Sequence, residues 1–271
     1  MALLSVLYFD RPYTKVPILT TMNDPTRAIA DMPTHASEPH STEPAFSENW
    51  FDHNIPHWER WLGGFRGRRG LRALEIGSFE GRSTLWLCEE ILTADDARID
   101  CLDLFAPDPV YGDYHARFRR NTAAHSHKIR EYPGYSFDGL RKVEGEYDIV
   151  YIDGWHSAFG ALADGVMSWP LLNVGGVMIF DDYLWVPPKK LGPPPLRPNA
   201  LVRKWAKLQG EHWKQRAILR QIQGVAVDTP KLGVDGMLAT LDGYYEHLGS
   251  GYQLAVRKTR TFQQGQVGVD N

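Results

Sequence analysis

Between Leu71 and Asp182 the chain alternates short apolar runs with segments of helical spacing, and this rhythm limits the fold more than any other feature. The apolar runs are LRALEI (71–76), ARIDCLDLF (97–105), a weaker KIREY (128–132), YDIVYID (147–153) and GGVMIFDD (175–182). Between them, apolar residues recur at helical intervals, as at Leu85, Leu87, Cys88, Ile91 and Leu92, or as in the segments 111–124, 137–143 and 157–172. Near-continuous apolar strands separated by helices predict a parallel sheet covered on both faces. With 271 residues, 43% of them hydrophobic, the chain is long enough to bury such a core.

Composition excludes several classes. Thirty basic residues against 33 acidic ones give a net charge of -3 and no electrostatic footprint for nucleic acid. The arginine clusters 66–69 and 117–120 read as solvated faces. No apolar stretch reaches the roughly 18–20 residues that span a bilayer, and Met1–Phe9 reads as a poor signal peptide. Cys88 and Cys101 sit in apolar segments without metal-ligand spacing, so two buried thiols in a reducing cytoplasm are expected.

The flanks differ from the middle. Residues 1–45 end in DMPTHASEPHSTEPA and predict a flexible arm. Ser47–Leu62 is aromatic-rich and predicts a helix docked on the domain by its tryptophans. The stretch 183–229 contains VPPKKLGPPPLRP (186–198), which holds six of the chain's 18 prolines, and reads as an insertion or lid. A helix over Lys231–Leu248 and a strand over 251–258 would close a domain spanning 46–260, with a loose tail over 261–271.

Three constellations carry chemistry. In E75-I-G77-S-F-E-G81-R-S, two glycines bracket a strand-to-helix turn, where backbone can approach a ligand and helix N–H groups stand unpaired. The spacing is neither GxGxxG nor a Walker loop. Glu75 before the first glycine suits a cationic group such as a sulfonium, although a tight turn with a solvated Glu75 would look the same. Asp103 ends the next strand, where a carboxylate can grip a ribose diol or simply cap a turn. Finally, the fourth strand ends Y-I-D153-G-W-H156 and the fifth I-F-D181-D182-Y. Three carboxylates on one rim repel one another unless a cation joins them, and oxygen donors favour magnesium or manganese. His156, three residues after Asp153, is placed to act as general base for a hydroxyl. Each residue alone could be a cap or a surface side chain.

These motifs resemble the class I S-adenosylmethionine-dependent methyltransferases, and within them the metal-dependent sugar-hydroxyl branch typified by macrocin O-methyltransferase. The resemblance runs from Asn49 to Lys258 outside the insertion. It is carried by LEIGSFEGRST (74–84), YIDGWH (151–156), the Asp164–Trp169–Leu172–GGVMIFDDY run and GYQLAVRK (251–258). It implies a doubly wound, mostly parallel, Rossmann-like sheet of seven strands, the last antiparallel. It also implies a SAM-binding set of Glu75, Gly77, Ser78, Gly81, Ser83, Asp103, Ser136 and Asp153. Asp153, Asp181 and Asp182 would be the magnesium (or manganese) ligands, with His156 as base and Asp153 beside it in catalysis.

The expected activity is O-methylation of a hydroxylated small molecule, such as a sugar or a natural product in biosynthesis. The alternatives are metal-independent N- or C-methylation, or non-catalytic SAM binding as a scaffold. No nucleic-acid or membrane partner is expected, and homo-oligomerisation is left open.

Overall fold

A computed structural model describes residues 43–186 and 229–262. Seven strands form one sheet: β1 (Arg72–Ile76), β2 (Arg98–Asp103), β3 (Ile129–Pro133), β4 (Tyr147–Ile152), β5 (Leu172–Phe180), β6 (Tyr245–Ser250) and β7 (Leu254–Lys258). Their order is β3-β2-β1-β4-β5-β7-β6. Strands β1 to β5 are parallel, while β7 runs antiparallel to both β5 and β6. This is the seven-stranded Rossmann-like architecture of the class I methyltransferases, with the last strand antiparallel as the resemblance implied.

The helices are α1 (Ile55–Leu62), α2 (Arg82–Trp86), α3 (Tyr114–Asn121), α4 (Ser136–Gly139), α5 (Ala158–Ser168) and α6 (Pro230–Thr240). Strand alternation sends neighbouring residues to opposite cores. Ala73, Ile99, Cys101, Ile149, Tyr151 and Ile179 join Trp58 and Leu62 of α1 on one side. Leu74, Ile76, Leu102, Val150, Ile152 and Phe180 join Val234 and Met237 of α6 on the other. Burial on both faces explains why the strands read as unbroken apolar runs. Local signals fix the helix starts: Ser157 Oγ accepts from the Gly160 N–H (2.9 Å) and Asp113 Oδ1 from the Ala116 N–H (2.9 Å).

Several element boundaries differ from expectation. The helix expected over Lys231–Leu248 stops at Thr240, because Gly243 turns the chain at φ +76° and β6 follows at the sheet edge. The helix expected over Arg82–Leu92 is α-helical only to Trp86 and continues as a π turn over Leu87–Ile91. Strand β5 starts at Leu172 and ends at Phe180, so Asp181 and Asp182 stand just beyond its tip. The aromatic segment docks as expected, with Trp58 and Trp61 buried, whereas Trp50 stays exposed. Both cysteines are free and buried, and burial pushes the Cys88 thiol up to about 12.

The expected arm over 1–45 and tail over 261–271 lie outside the described residues, apart from 43–45 and 261–262. Of the insertion expected over 183–229, only 183–186 and 229 are described. Among the described residues no helix is long and apolar enough to cross a membrane.

Candidate active site

Strand order reverses between β1 and β4, and open parallel sheets bind ligands beyond the C-terminal ends of strands at such a point. The two tips meet tightly here. The Asp153 N–H donates to Ile76 O (2.7 Å), and a Cβ on Gly77 would lie 1.9 Å from Asp153 O. With φ at +86°, position 77 admits only glycine on both counts. Gly81 meets the same two constraints, with φ at +83°. Its added Cβ would strike Thr122 and Phe118 at 2.8 and 2.9 Å, so it lets α3 close over the turn.

Asp103, at the end of β2, holds this turn in place. Its Oδ2 accepts from the Ser78 and Phe79 N–H groups (2.8 and 2.9 Å), and its Oδ1 from the Phe105 N–H and Tyr114 hydroxyl (3.0 and 2.8 Å). Phe79 and Phe105 both take positive φ (+47° and +46°), the kind of backbone strain that gathers at functional loops.

A cavity of about 630 Å³ opens beside the turn. Asp103, Ser136, Asp153 and Gly77 line it, together with Trp155, Tyr135 and Asp164. Across the turn, Ser78, Ser83, Gly77, Asp153 and Asp181 line a smaller recess with Trp50, Phe79 and Arg82. Seven of the eight residues expected around a cofactor therefore surround the turn or build it.

Glu75 is the departure. Its side chain lies on neither cavity wall and is fully buried, because strand parity turns it toward α2. It accepts from Ser83 Oγ (2.6 Å) and from Thr84 Oγ1, and burial raises its pKa against these hydrogen bonds. In this structure Glu75 anchors the helix start rather than facing a ligand.

The acidic tips of β4 and β5 come together. Ile152 and Phe180 are register partners, so Asp153 and the Asp181–Asp182 pair emerge side by side. His156 bridges two of the three: its Nε2 lies 3.2 Å from Asp153 Oδ1 and its Nδ1 3.2 Å from Asp182 Oδ2. One ligand atom from each of Asp153, His156 and Asp182 falls within 4.8 Å of the others. Asp181 stands slightly aside, receiving the Tyr151 hydroxyl, which is also 3.0 Å from Asp153 Oδ2.

Burial, then the Asp181 charge, raises the Asp153 pKa. Burial alone would lower that of His156, but the Asp153 hydrogen bond and the Asp182 charge outweigh it and raise it. Such mutual compensation marks a site with an excess of negative charge. Asp182 pays locally as well, with φ at +51°. Donors of this kind and spacing fit a hard divalent cation.

Residues 74–183 match the family described as a methyltransferase domain. The matched segment runs from within β1 to the residue after the acidic pair and holds every site residue that the sequence predicted. The chain is also 31% identical over 134 residues to the O-methyltransferase hkm8 of Aspergillus hancockii. The alignment covers 46% of this chain and 48% of that relative, so it spans about half the length of each. Among solved structures, an O-methyltransferase from Bacillus cereus in complex with SAH is 17% identical, with coverage of 79% and 84% and a TM-score of 0.48. The O-methyltransferase TomG from Streptomyces achromogenes, in complex with SAM, is 16% identical, with coverage of 76% and 80% and a TM-score of 0.46.

Tyr151 and Tyr252 fall within YIDGWH and GYQLAVRK, yet the sequence assigns neither a role. Tyr151 hides inside an apolar strand, yet its hydroxyl joins two carboxylates; its position two residues before Asp153, on the same strand face, is the signal that was available. Tyr252 lies about 70 residues beyond Asp182, with its hydroxyl hydrogen-bonded to that carboxylate. Only the antiparallel return of β7 brings it there.

Proposed function

We propose that the protein is a SAM-dependent O-methyltransferase acting on a hydroxyl of a small molecule, assisted by a divalent cation. One observation carries the reading: the matched methyltransferase domain places its acidic cluster directly beside a cavity of about 630 Å³ at the switch point of the sheet. That volume is in the range of nucleoside-sized ligands. Asp103 at its wall would take the ribose hydroxyls in exchange for a present donor such as the Tyr114 hydroxyl, Ser136 the adenine edge, and the Gly77–Ser83 turn the amino-acid end.

Asp153, Asp181 and Asp182 would hold magnesium or manganese. Such an ion polarises an acceptor hydroxyl and lowers its pKa. With Asp153 and Asp182 turned to the cation, His156 would lose the carboxylate contacts that now hold both its ring nitrogens, and one of those nitrogens would accept the hydroxyl proton. The acceptor oxygen forms the new bond to the methyl carbon while the carbon–sulfur bond breaks, its electron pair staying on sulfur as a thioether. The donor is already activated, so the chain's main contribution is alignment of oxygen, carbon and sulfur.

Sugars and natural products remain the acceptor classes we favour. The test uses methyl transfer from labelled SAM to a panel of hydroxylated metabolites, alongside calorimetric titration with S-adenosylhomocysteine. For His156→Ala we expect turnover to fall about 10²- to 10⁴-fold with product affinity unchanged. Chelator-insensitive transfer to nitrogen or carbon would instead favour the metal-independent alternative. Cofactor binding without turnover on any acceptor would favour the scaffold.

A further inference from the structure

A second cluster of charge lies on the opposite rim of the sheet. Arg72 and Arg98 open β1 and β2, Arg130 is the second residue of β3, and Lys128 directly precedes that strand. Register pairs Arg72 with Arg98 and Asp100 with Arg130. Cross-strand partners share a sheet face, so the three arginines and Asp100 all project to one side. With Lys128 and His127 they line a cavity of about 350 Å³. It sits at the N-terminal ends of the strands, roughly 17 Å from the glycine turn by strand length.

The charges do not balance. Asp100 is the sole carboxylate among the lining residues, and it is already taken by Arg72 Nη2 (3.0 Å) and the Tyr147 hydroxyl. Lys128 is only 6% exposed, and its ammonium donates to the Leu92 carbonyl (2.6 Å). Arg98 Nη1 donates to the carbonyls of Asp95 and Ala97, both at 2.7 Å. Arg130 lies over the Tyr132 ring at 4.9 Å, and the buried hydroxyl of that ring has no hydrogen-bond partner among the described residues. No ion pair joins Arg98, Lys128 or Arg130 to a carboxylate among the described residues.

Arg98 and Arg130 are exposed, and the arginines of neighbouring strands stand close together without a carboxylate of their own. Like charges side by side on neighbouring strands destabilise a sheet, and a buried ammonium without a counter-charge is costly. We propose that this cavity binds a compact phosphate-bearing anion. Guanidinium groups match phosphate oxygens in geometry and charge, and a ligand with two or more negative charges would offset both Arg98 and Arg130. A single carboxylate would offset one. The cavity is large enough for a diphosphate group, and the chain's net charge of -3 disfavours an extended nucleic acid.

The test is calorimetric titration of the full chain, at fixed ionic strength in phosphate-free buffer, with pyrophosphate, ADP and sulfate. We expect one pyrophosphate per chain, bound more tightly than sulfate. The exposed double variant Arg98→Gln/Arg130→Gln should weaken it by at least about tenfold, while S-adenosylhomocysteine binding stays unchanged. ADP binding tighter than pyrophosphate would assign the ligand to nucleotides, and equal affinity to free diphosphates; either supports the proposal. It is overturned by absence of saturable pyrophosphate binding, by equal binding in the double variant, or by equal affinity for sulfate, which would mean an adventitious ion only.

Discussion

At the scale of single residues, the site depends on positions where one atom more or less decides the geometry. Gly77→Ala would drive a Cβ to 1.9 Å from the Asp153 carbonyl in a backbone conformation that side chains avoid. We expect a loss of about 3 kcal/mol or more in unfolding free energy. Gly63→Ala is the control: that glycine has φ -55° and nothing within 4 Å of an added Cβ, so its stability should stay within about 0.5 kcal/mol of the parent. Denaturant unfolding of both variants checks the pair, and equal stability would show that the β1 and β4 tips are not locked together. The acidic residues were legible because strand ends carry them in plain view: Asp103, Asp153, Asp181 and Asp182 each follow an apolar run. Glu75 is placed differently. Its place before the glycine suggested a ligand contact, but the parity of β1 and the hydroxyls of Ser83 and Thr84 turn it inward.

At the scale of elements, the segment leading into α1 is tied to the glycine turn through Glu80. Its carboxylate accepts from the Ser47 N–H (2.6 Å) and hydroxyl (2.8 Å) and pairs with Arg117. Burial pushes its pKa up, but the Ser47 hydrogen bonds and the Arg117 charge prevail and hold it below the ordinary value of 4.5. A lowered carboxylate pKa contributes stability that is complete above the unfolded value and lost as pH falls through the folded one. The tether should therefore hold at neutral pH and release only below pH 4.5. Hydrogen exchange at the Ser47 amide, corrected for intrinsic rates, should show protection at pH 6 and little at pH 3. Glu80→Gln should remove that protection at both; retained protection in this variant would mean that the segment is held elsewhere. The β–α alternation predicted the five parallel strands. It missed β6, because glycines at 233, 236 and 243 blur the period of the last helix and an exposed edge strand lacks the apolar run that marks a buried one.

At the scale of the whole molecule, the sheet places two charged rims at opposite ends of the same strands, acidic beyond the C-terminal ends and basic at the N-terminal ends. The pairing of Tyr252 with Asp182 could not be read from local pattern, since it depends on the long-range return of β7 to β5. The arginines of the basic rim are scattered over 59 positions from Arg72 to Arg130 and become a cluster only through parallel register. At the acidic rim, Asp153, Asp181 and Asp182 are proposed to hold a divalent ion next to the cavity of about 630 Å³. Crystals grown with S-adenosylhomocysteine and manganese test it by anomalous scattering. We expect one manganese peak at bonding distance from the Asp153 and Asp182 carboxylates, absent from crystals of Asp153→Asn. A fully loaded cofactor cavity with no metal peak among these side chains would contradict the account.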